Sequence, residues 1–400
     1  MHYFVHGFYG AGNAGDDAIL HALIDELTRI DDEAVITVSV RSKSMRAYFG
    51  PQRIHTIFGF DLLQIKNAIA KSDVVIIGGG GLLQDYSGFQ ALNLFQTNQS
   101  YRNQQGAIGY YSTPIFLAKT MGIKVVLYAL GIGPFRTAEG RNAAAWIAGL
   151  ADAVTVRDRA SCAFMLEMGV ARTELTADPA LLLDMGYARP DASAESGGPS
   201  RPPKIGINLR RWPYDKTRSE RLYAQMAQAA KAWIREHGAT IAVLPYNVSM
   251  QEVKLAEALA EQLDSDRVEV VRYDMPPIEL QRYLGTLDLM VAMRLHASIM
   301  AMNGGTLAIG IAYDPKVGQF YEDMQLPELC MRLEEATLEG ILGKAEEVLR
   351  SPQQFRAKVL GRLQPLRARA ELNGRMLRRI AGLEGPVAGV NGSGGRPAPE

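Results

Sequence analysis

The 400-residue sequence has only two cysteines, Cys162 and Cys330, and they lie far apart in the chain. Two widely separated cysteines predict neither a disulfide framework nor a cysteine-based metal cluster. We therefore expect a protein of a reducing compartment. We also expect its functional site to contain no metal, because no cluster of ligand-type residues stands out elsewhere in the sequence.

The sequence also lacks a long apolar run, since no stretch approaches the roughly 18 to 20 residues that cross a bilayer. Its first residues, His2 to Gly7, follow a strand pattern and lack the charged and apolar regions of a secretory signal. An excess of one charge is missing too, because 43 basic residues balance 43 acidic ones. This balance predicts no general attraction to nucleic acid or membranes, so we expect a cytoplasmic protein whose basic sites are local.

Short apolar segments alternate with helical patterns along most of the chain, which predicts a parallel α/β architecture. A chain of this length, 47% hydrophobic, is expected to form two domains. We predict one Rossmann-like domain over residues 1–186 and a second over residues 204–350. Residues 187–203 are rich in Pro, Ser, Gly and Ala, which is typical of a linker. The simplest arrangement places the two domains face to face across a central cleft.

The C-terminal part of the chain is basic and then becomes low in complexity. Residues 351–384 carry arginines and lysines interleaved with Leu and Ile, and they predict a helical segment that Pro365 and Gly374 interrupt. The segment can pack back on the first domain, lie on an anionic membrane surface, or do both. Residues 385–400 are rich in Gly, Pro and Ser and are predicted to be disordered.

Two glycine-rich stretches follow predicted strands in the first domain. Gly12 to Asp17 precedes the first helix, and its two aspartates favour helix capping or hydroxyl contacts over phosphate binding, although an ordinary turn remains an equal alternative. Gly78 to Gly81 follows the strand Val74 to Ile77, and four consecutive glycines predict a ligand-facing loop rather than a plain turn. The next segment is rich in Asn, Gln, Tyr and Ser, which suits either sugar recognition or a solvated loop. The candidate residues in these stretches are Asn13, Asp16, Gly79, Gly80, Asp85 and Tyr86.

The segment Met293 to Ser298 combines a cation and a histidine at the end of an apolar strand and the start of a helix. That position faces the ligand crevice of a parallel sheet and attracts anions. Imidazole titrates near neutral pH, so we interpret His296 as a proton-transfer group rather than a structural histidine. Cations at the ends of several predicted strands indicate a small polyanion site. These cations are Arg136, Arg210, Arg294 and Lys316.

Five segments in a defined order resemble the polysaccharide pyruvyl transferase family, in particular the bacterial branch that modifies cell-wall polysaccharide. The segments are Gly12 to Asp16, the glycine run at Gly78, Gly131 to Pro134, Asp178 to Ala180 and Arg294 to Ala297. The resemblance extends to about Lys316 and beyond. It implies a fold similar to the two-domain GT-B glycosyltransferases, with the second domain on the donor side and the first on the acceptor side.

The same resemblance implies phosphoenolpyruvate as donor and a sugar, N-acetylmannosamine-type in the cell-wall branch, as acceptor. The acceptor would be lipid-linked or polymeric, and a lipid-linked one would bring the protein to the inner face of the membrane. Arg136, Arg210, Arg294 and Lys316 would then bind the phosphate and carboxylate of the donor, and His296 would be the general acid or base. The reaction scheme requires neither a metal nor a cofactor.

Two alternatives fit the same residues. A GT-B nucleotide-sugar glycosyltransferase would share the fold and cleft, and it would need an acid such as Glu279 or Asp288 to bind the nucleotide. A non-catalytic phospho-sugar binding module would use the cations for binding and His296 for structure. Replacement of His296 by Ala separates the module, which keeps its affinity, from the enzyme, which loses turnover.

Overall fold

The computed structural model describes residues 1–42, 53–86, 89–94, 108–184, 201–212, 215–248 and 251–383. Two parallel sheets, of seven and six strands, organise these residues. The predicted α/β architecture with two Rossmann-like domains is therefore confirmed. Most of the predicted linker, residues 187–200, and the whole predicted tail, residues 385–400, lie outside the described part of the chain.

The N-terminal sheet has the order β3-β2-β1-β4-β5-β6-β7. Its strands are β1 (His2–His6), β2 (Val35–Val40), β3 (Ile54–Phe58), β4 (Val74–Leu83), β5 (Lys124–Ile132), β6 (Ala153–Val156) and β7 (Thr173–Leu175). Its helices are α1 (Ala14–Ile30), α2 (Leu62–Ile69), α3 (Ile108–Thr120), α4 (Ala138–Leu150) and α5 (Arg159–Glu167), with short 3-10 helices at Ala91–Leu94 and Pro179–Leu182. Because side chains alternate along each strand, Phe4 and Val75 enter one apolar core and Tyr3 and Val5 enter another. The sheet is thus covered on both faces, as parallel sheets are.

The C-terminal sheet has the order β10-β9-β8-β11-β12-β13. Its strands are β8 (Lys204–Asn208), β9 (Thr240–Val243), β10 (Val268–Val270), β11 (Leu289–Ala292), β12 (Leu307–Ala312) and β13 (Cys330–Arg332). Its helices are α6 (Lys216–His237), α7 (Glu252–Leu263), α8 (Pro277–Leu284), α9 (Leu295–Asn303), α10 (Pro315–Asp323) and α11 (Leu338–Arg350), with a 3-10 helix at Pro327–Leu329. In both sheets the strand order therefore reverses beside the first strand.

This reversal of strand order determines where a ligand crevice forms. In each sheet the first strand lies between its second and fourth strands, so β1 pairs with β2 and β4, and β8 pairs with β9 and β11. Crevices of parallel sheets open at the carboxyl ends of such strands. Asn13, which follows β1, forms an isolated antiparallel bridge with Asn247 of the other domain. The two crevices therefore meet in one cleft.

The final helix, α12 (Pro352–Ala381), begins on the C-terminal domain and ends on the N-terminal one. Asn373 near its end accepts from Thr155 Oγ1 at 2.7 Å, and Lys124 Nζ donates to the carbonyl of Ile380 at 2.7 Å. The expected packing on the first domain is confirmed. The expected interruption at Pro365 and Gly374 is wrong, because the helix is continuous. Pro365 lies on the exposed face, where solvent can reach the backbone carbonyl that its ring leaves without a donor.

The glycine run Gly78 to Gly81 is also different from the expectation of a ligand-facing loop. It lies inside β4 and pairs with β5, so the strand continues through the glycines to Leu83. Gly79 and Gly80 have φ of +91° and +84°, and a Cβ at Gly79 would lie 2.6 Å from the hydroxyl oxygen of Tyr9. The glycines are needed because other parts of the protein approach the strand closely.

Candidate active site

The start of α1 forms the N-terminal wall of the cleft. Asn13 caps this helix, because its side chain accepts from Gly15 N at 3.2 Å. The backbone of the same segment bonds to the other domain, with Ala14 N donating to the Tyr246 carbonyl at 2.9 Å and Val248 N donating to the Gly12 carbonyl at 3.0 Å. The glycine-rich segment after β1 is therefore part of the domain interface as well as a helix cap.

Two buried aspartates occupy the first turn of α1. Asp16 accepts from Asn13 Nδ2, and Asp17 accepts from Gly10 N at 3.2 Å and from the Tyr273 hydroxyl at 3.0 Å. Burial, followed by the charge of Asp17, raises the pKa of Asp16 to about 7, although Arg294, Arg157 and Lys316 act to lower it. Burial also raises the pKa of Asp17 to about 7. Both carboxyl groups therefore exchange protons near neutral pH.

His296 lies across the domain boundary from a third aspartate. It is the second residue of α9, and its Nε2 is 3.2 Å from Oδ2 of Asp178, which precedes the 3-10 helix Pro179–Leu182. The opposite edge of the ring faces Gly15, where an added Cβ would lie 2.2 Å from Nδ1. The imidazole is thus enclosed by two segments of the N-terminal domain, and 13% of its side chain remains exposed.

Arg294, two residues before His296, is held by a buried carboxylate. Its Nε lies 2.8 and 3.1 Å from the two oxygens of Glu252, and Nη2 also donates to Oε1. Glu252 in turn accepts from Tyr246 N and Asn247 N, both at 3.1 Å. The pair therefore links the segment after β11 to the loop that contacts α1. Asn208 fixes the same segment, since its Oδ1 accepts from Arg294 N at 2.9 Å.

An aromatic and charged cluster extends the cleft along the ends of β8 and β12. Arg210 lies 5.2 Å from the ring centres of both Trp212 and Tyr313, and its Nη1 donates to the Tyr313 hydroxyl. Tyr86 of the N-terminal domain donates to Asp314, whose carboxylate lies 3.4 Å from Lys316 Nζ. Burial alone would raise the pKa of Asp314, but Lys316 and then Tyr86 hold it below its usual value.

Arg136 and Asp85 contact each other at the start of α4. The carboxylate of Asp85 accepts from Arg136 N and from Thr137 N, the latter at 2.9 Å. Asp85 is buried, while Arg136 is exposed. Through these contacts Asp85 holds the segment in place and thereby orients Arg136 at the edge of the N-terminal domain.

The structure brings most of the residues expected from the sequence to one crevice. Asp16 lies beside Gly80, because a Cβ there would be 2.6 Å from its Oδ1. The charges of Arg294 and Lys316 also act to lower the pKa of Asp16. Several further residues contact these candidates, and the sequence alone assigns them no role. These residues are Asp178, Glu252, Trp212, Tyr313 and Asp314.

One of these residues carried a usable signal. The segment Asp178 to Ala180 was already part of the family resemblance, and it ends the first domain at a sheet edge. Among the described residues, no group of three or more His, Cys, Asp or Glu side chains could hold a metal ion. Within the same ranges, no helix is both long and apolar enough to span a bilayer.

Solved structures with the same architecture define the class of fold. The chain aligns with S. aureus MnaA, from a structure with UDP, at a TM-score of 0.59 and 11% identity, covering 96% of this chain and 97% of the other. A UDP-GlcNAc 2-epimerase from Neisseria meningitidis gives a TM-score of 0.59 and 10% identity, covering 95% and 100%. A glycosyltransferase from Rickettsia africae gives 0.57 and 11%, covering 95% and 98%. The protein thus has the GT-B-type fold of two Rossmann-like domains.

The sequence places the chain more narrowly within that class. The sequence model of the polysaccharide pyruvyl transferase family matches residues 13–315, which is more than half of the chain and includes most of the cleft residues described above. The chain belongs to the polysaccharide pyruvyl transferase family. Its role is therefore that of a transferase in pyruvyl transfer during polysaccharide synthesis.

Proposed function

We propose that the protein transfers the pyruvyl group of phosphoenolpyruvate to two hydroxyls of one sugar, with release of phosphate. The enol carbon C3 gains a proton, C2 becomes electrophilic, and a first hydroxyl adds to C2. The C2–O bond to phosphate then breaks, and a second hydroxyl closes a cyclic ketal. The observation that supports this proposal is the convergence of Asp16, Arg294, His296 and Lys316 on one crevice.

The cations of this crevice suit a donor that carries both a phosphate and a carboxylate. Lys316 supplies a mobile point charge, and Arg210 and Arg294 supply planar guanidinium groups that bind such anions in fixed geometry. Their charge would offset the charge that develops on phosphate as it leaves. Arg136 is the exposed member of the set, so we assign it to the outer edge of the donor site.

The titratable groups suit the two proton transfers that this chemistry needs. His296 is the candidate acid that protonates C3. Once it has lost that proton it can act as a base and accept a proton from the attacking hydroxyl. Asp16, whose pKa burial raises to about 7, lies on the opposite wall and is a second candidate base. Asn13 and Tyr86 would bind acceptor hydroxyls on the N-terminal side.

The acceptor that we propose is an N-acetylmannosamine-type sugar of a lipid-linked or polymeric cell-wall precursor. A lipid-linked acceptor would place the enzyme in the cytoplasm at the inner face of the membrane. Exposed cations of α12, such as Lys358 and Arg362, would then lie near anionic lipid.

The test is acceptor-dependent phosphate release from phosphoenolpyruvate by the purified protein, with the acceptor followed by mass. We expect one phosphate per ketal formed, and a loss of at least about 100-fold in His296→Ala. His237→Ala is the matched control, because His237 is exposed in the last turn of α6. Release at the wild-type rate in His296→Ala would contradict the assigned role. No release with any acceptor would contradict the donor.

The likeness to UDP-bound structures makes a nucleotide-sugar glycosyltransferase the alternative. Its two candidate acids do not favour it. Asp288 lies before β11, at the edge of the sheet opposite the crevice, and binds Arg201 and Lys204 N. Glu279 is exposed in the first turn of α8. Hydrolysis or transfer from a UDP-sugar in the same assay would support this alternative.

A further inference from the structure

We propose that Asp178 is the positioning residue for His296, so that the acid–base group is complete only where the two domains meet. This inference rests on the proposed function and deepens it. Asp178 belongs to the N-terminal domain, before the 3-10 helix Pro179–Leu182, and His296 belongs to α9 of the C-terminal domain. Their side chains are joined by the 3.2 Å contact between Nε2 and Oδ2.

Asp178 is itself fixed by contacts other than the one to His296. Its Oδ1 accepts from Ala180 N at 3.0 Å, and Nη1 of Arg157 donates to its Oδ2 at 2.8 Å. The side chains of Asp178 and Arg157 are 5% and 4% exposed. Burial would raise the pKa of Asp178, but His296 and Arg157 outweigh it and hold the pKa well below its usual value. A fixed, ionised carboxylate therefore faces the imidazole.

Such a carboxylate determines which ring nitrogen carries the proton. In neutral imidazole one nitrogen donates and the other accepts. Asp178 accepts at Nε2 and so favours the form with hydrogen on Nε2, and it stabilises the imidazolium when a second proton is held. Nδ1, the nitrogen beside Gly15, is then the one that gains and loses the catalytic proton. The other charged groups around this crevice are Arg157, Asp16, Arg294 and Lys316.

Gly15 completes the arrangement from the other side of the ring. Its missing side chain leaves the space that His296 occupies, since a Cβ would lie 2.2 Å from Nδ1 and 2.4 Å from Cγ. One segment of the N-terminal domain therefore orients the imidazole by a hydrogen bond, and another limits its position by contact. Two segments of the family resemblance, Gly12 to Asp16 and Asp178 to Ala180, thus gain a role that donor binding alone does not give them.

The first experiment observes the imidazole directly and needs no substrate. We would label histidine with ¹⁵N and assign His296 by comparison with His296→Gln. In wild type we expect the signal of an Nε2–H form. In Asp178→Asn we expect a mixture of the Nε2–H and Nδ1–H forms, because the charged acceptor that favours hydrogen on Nε2 is lost. An unchanged Nε2–H signal in Asp178→Asn would overturn the proposal.

The second experiment measures turnover in the same variants. We expect Asp178→Asn to lower kcat by roughly 10- to 100-fold, part of what a positioned acid–base group supplies, with KM for phosphoenolpyruvate little changed. The alkaline limb of the pH profile should move toward acid, and Asp178→Glu should recover part of the rate. A purely structural Asp178 would lower the amount of folded enzyme and leave the pH profile of the rest unchanged.

A further variant keeps the test decisive if Asp178→Asn fails to fold. Gly15→Ala leaves the contacts of Asp178 with Ala180 and Arg157 in place and displaces the His296 ring from Asp178, so kcat should fall and the Nε2–H signal should change. Gly343→Ala is the matched control, because nothing lies within 4 Å of a Cβ there and Gly343 is also helical. Equal behaviour of the two variants would contradict the proposal. Absence of pyruvyl transfer in wild type would refute the proposed function, while the labelling experiment would still decide whether Asp178 controls the ring.

Discussion

The two domains share one strand order but contribute different chemistry to the cleft. The N-terminal crevice presents the buried acids Asp16, Asp17 and Asp178, and the first two are held by amide and hydroxyl donors. The C-terminal crevice presents Arg294, whose acid partner, Glu252, belongs to its own domain. Because the same fold carries buried acids on one side and, on the other, a cation paired with an acid of its own domain, the domain architecture alone does not determine which substrate each side binds.

From this comparison we expect that loss of the cation Arg294 from the C-terminal side lowers the free energy of unfolding by a large amount. Arg294→Ala would leave Glu252, 1% exposed, without its partner, and we expect about 3–5 kcal/mol of destabilisation. Urea unfolding measures this. Arg350→Ala is the control, because it breaks an exposed pair with Glu346 and should cost less than about 1 kcal/mol. Equal losses would show that the Arg294 pair contributes no more than a surface pair.

On the N-terminal side the sharpest change is Gly80→Ala. It introduces a Cβ 2.6 Å from Asp16 Oδ1 at a positive φ, so it should displace the acid and lower kcat by roughly 100-fold. Gly122→Ala is matched for backbone strain, since φ is +72° there and nothing lies within 4 Å. Both variants should lose stability, but only Gly80→Ala should lose turnover per folded molecule. Full activity in Gly80→Ala would show that the position of Asp16 is not important for turnover.

The raised pKa of Asp16 predicts a pH-dependent stability effect. A carboxyl whose pKa rises from 3.8 to about 7 on folding favours the folded state at low pH. That contribution is lost as pH rises through about 7. Asp16→Asn keeps the uncharged form at every pH, so it should raise Tm more at pH 8 than at pH 5. Scanning fluorimetry at both values measures this, with the exposed Asp266→Asn as control. The same change in Tm at both pH values would contradict burial as the cause.

The smallest expected effect concerns the contact between Tyr86 and Asp314 across the domain interface. Tyr86→Phe removes one hydrogen bond and keeps the edge contact with Trp212, 5.7 Å between ring centres. We expect a stability loss of about 0.5–1.5 kcal/mol and a modest rise in KM for the sugar acceptor. Steady-state kinetics with both substrates would show it. A large fall in kcat instead would give Tyr86 a catalytic part.

Much of the fold could be predicted from sequence because parallel strands are buried on both faces and read as apolar runs. Val74 to Ile77 and Leu289–Ala292 are such runs, and both are strands. The extension of β4 through Gly78 to Gly81 could not be predicted, since glycine has low strand propensity and only close packing against Tyr9 and Asp16 explains it. The continuity of α12 through Pro365 likewise depends on tertiary packing along the rest of the helix.

The site was predictable in part for a similar reason. Strand ends define the crevice, so Arg294 and His296 could be placed there from local pattern. Their partners could not, because Glu252 and Asp178 are 42 and 118 residues away in the chain and meet them only in the folded protein. Sequence position shows which groups face a crevice, whereas the pairing that sets their charge and orientation depends on how the two domains pack.

The most direct test of pyruvyl transfer from phosphoenolpyruvate is to run the reaction in D₂O and analyse the acceptor by mass and NMR. Ketal transfer from phosphoenolpyruvate should give one ketal per phosphate released, with one deuterium in the new methyl group, because C3 of the donor takes its proton from solvent. The same product should be lost in His296→Ala. Phosphate release without acceptor modification, or a modified acceptor that carries a sugar from a nucleotide donor, would contradict it.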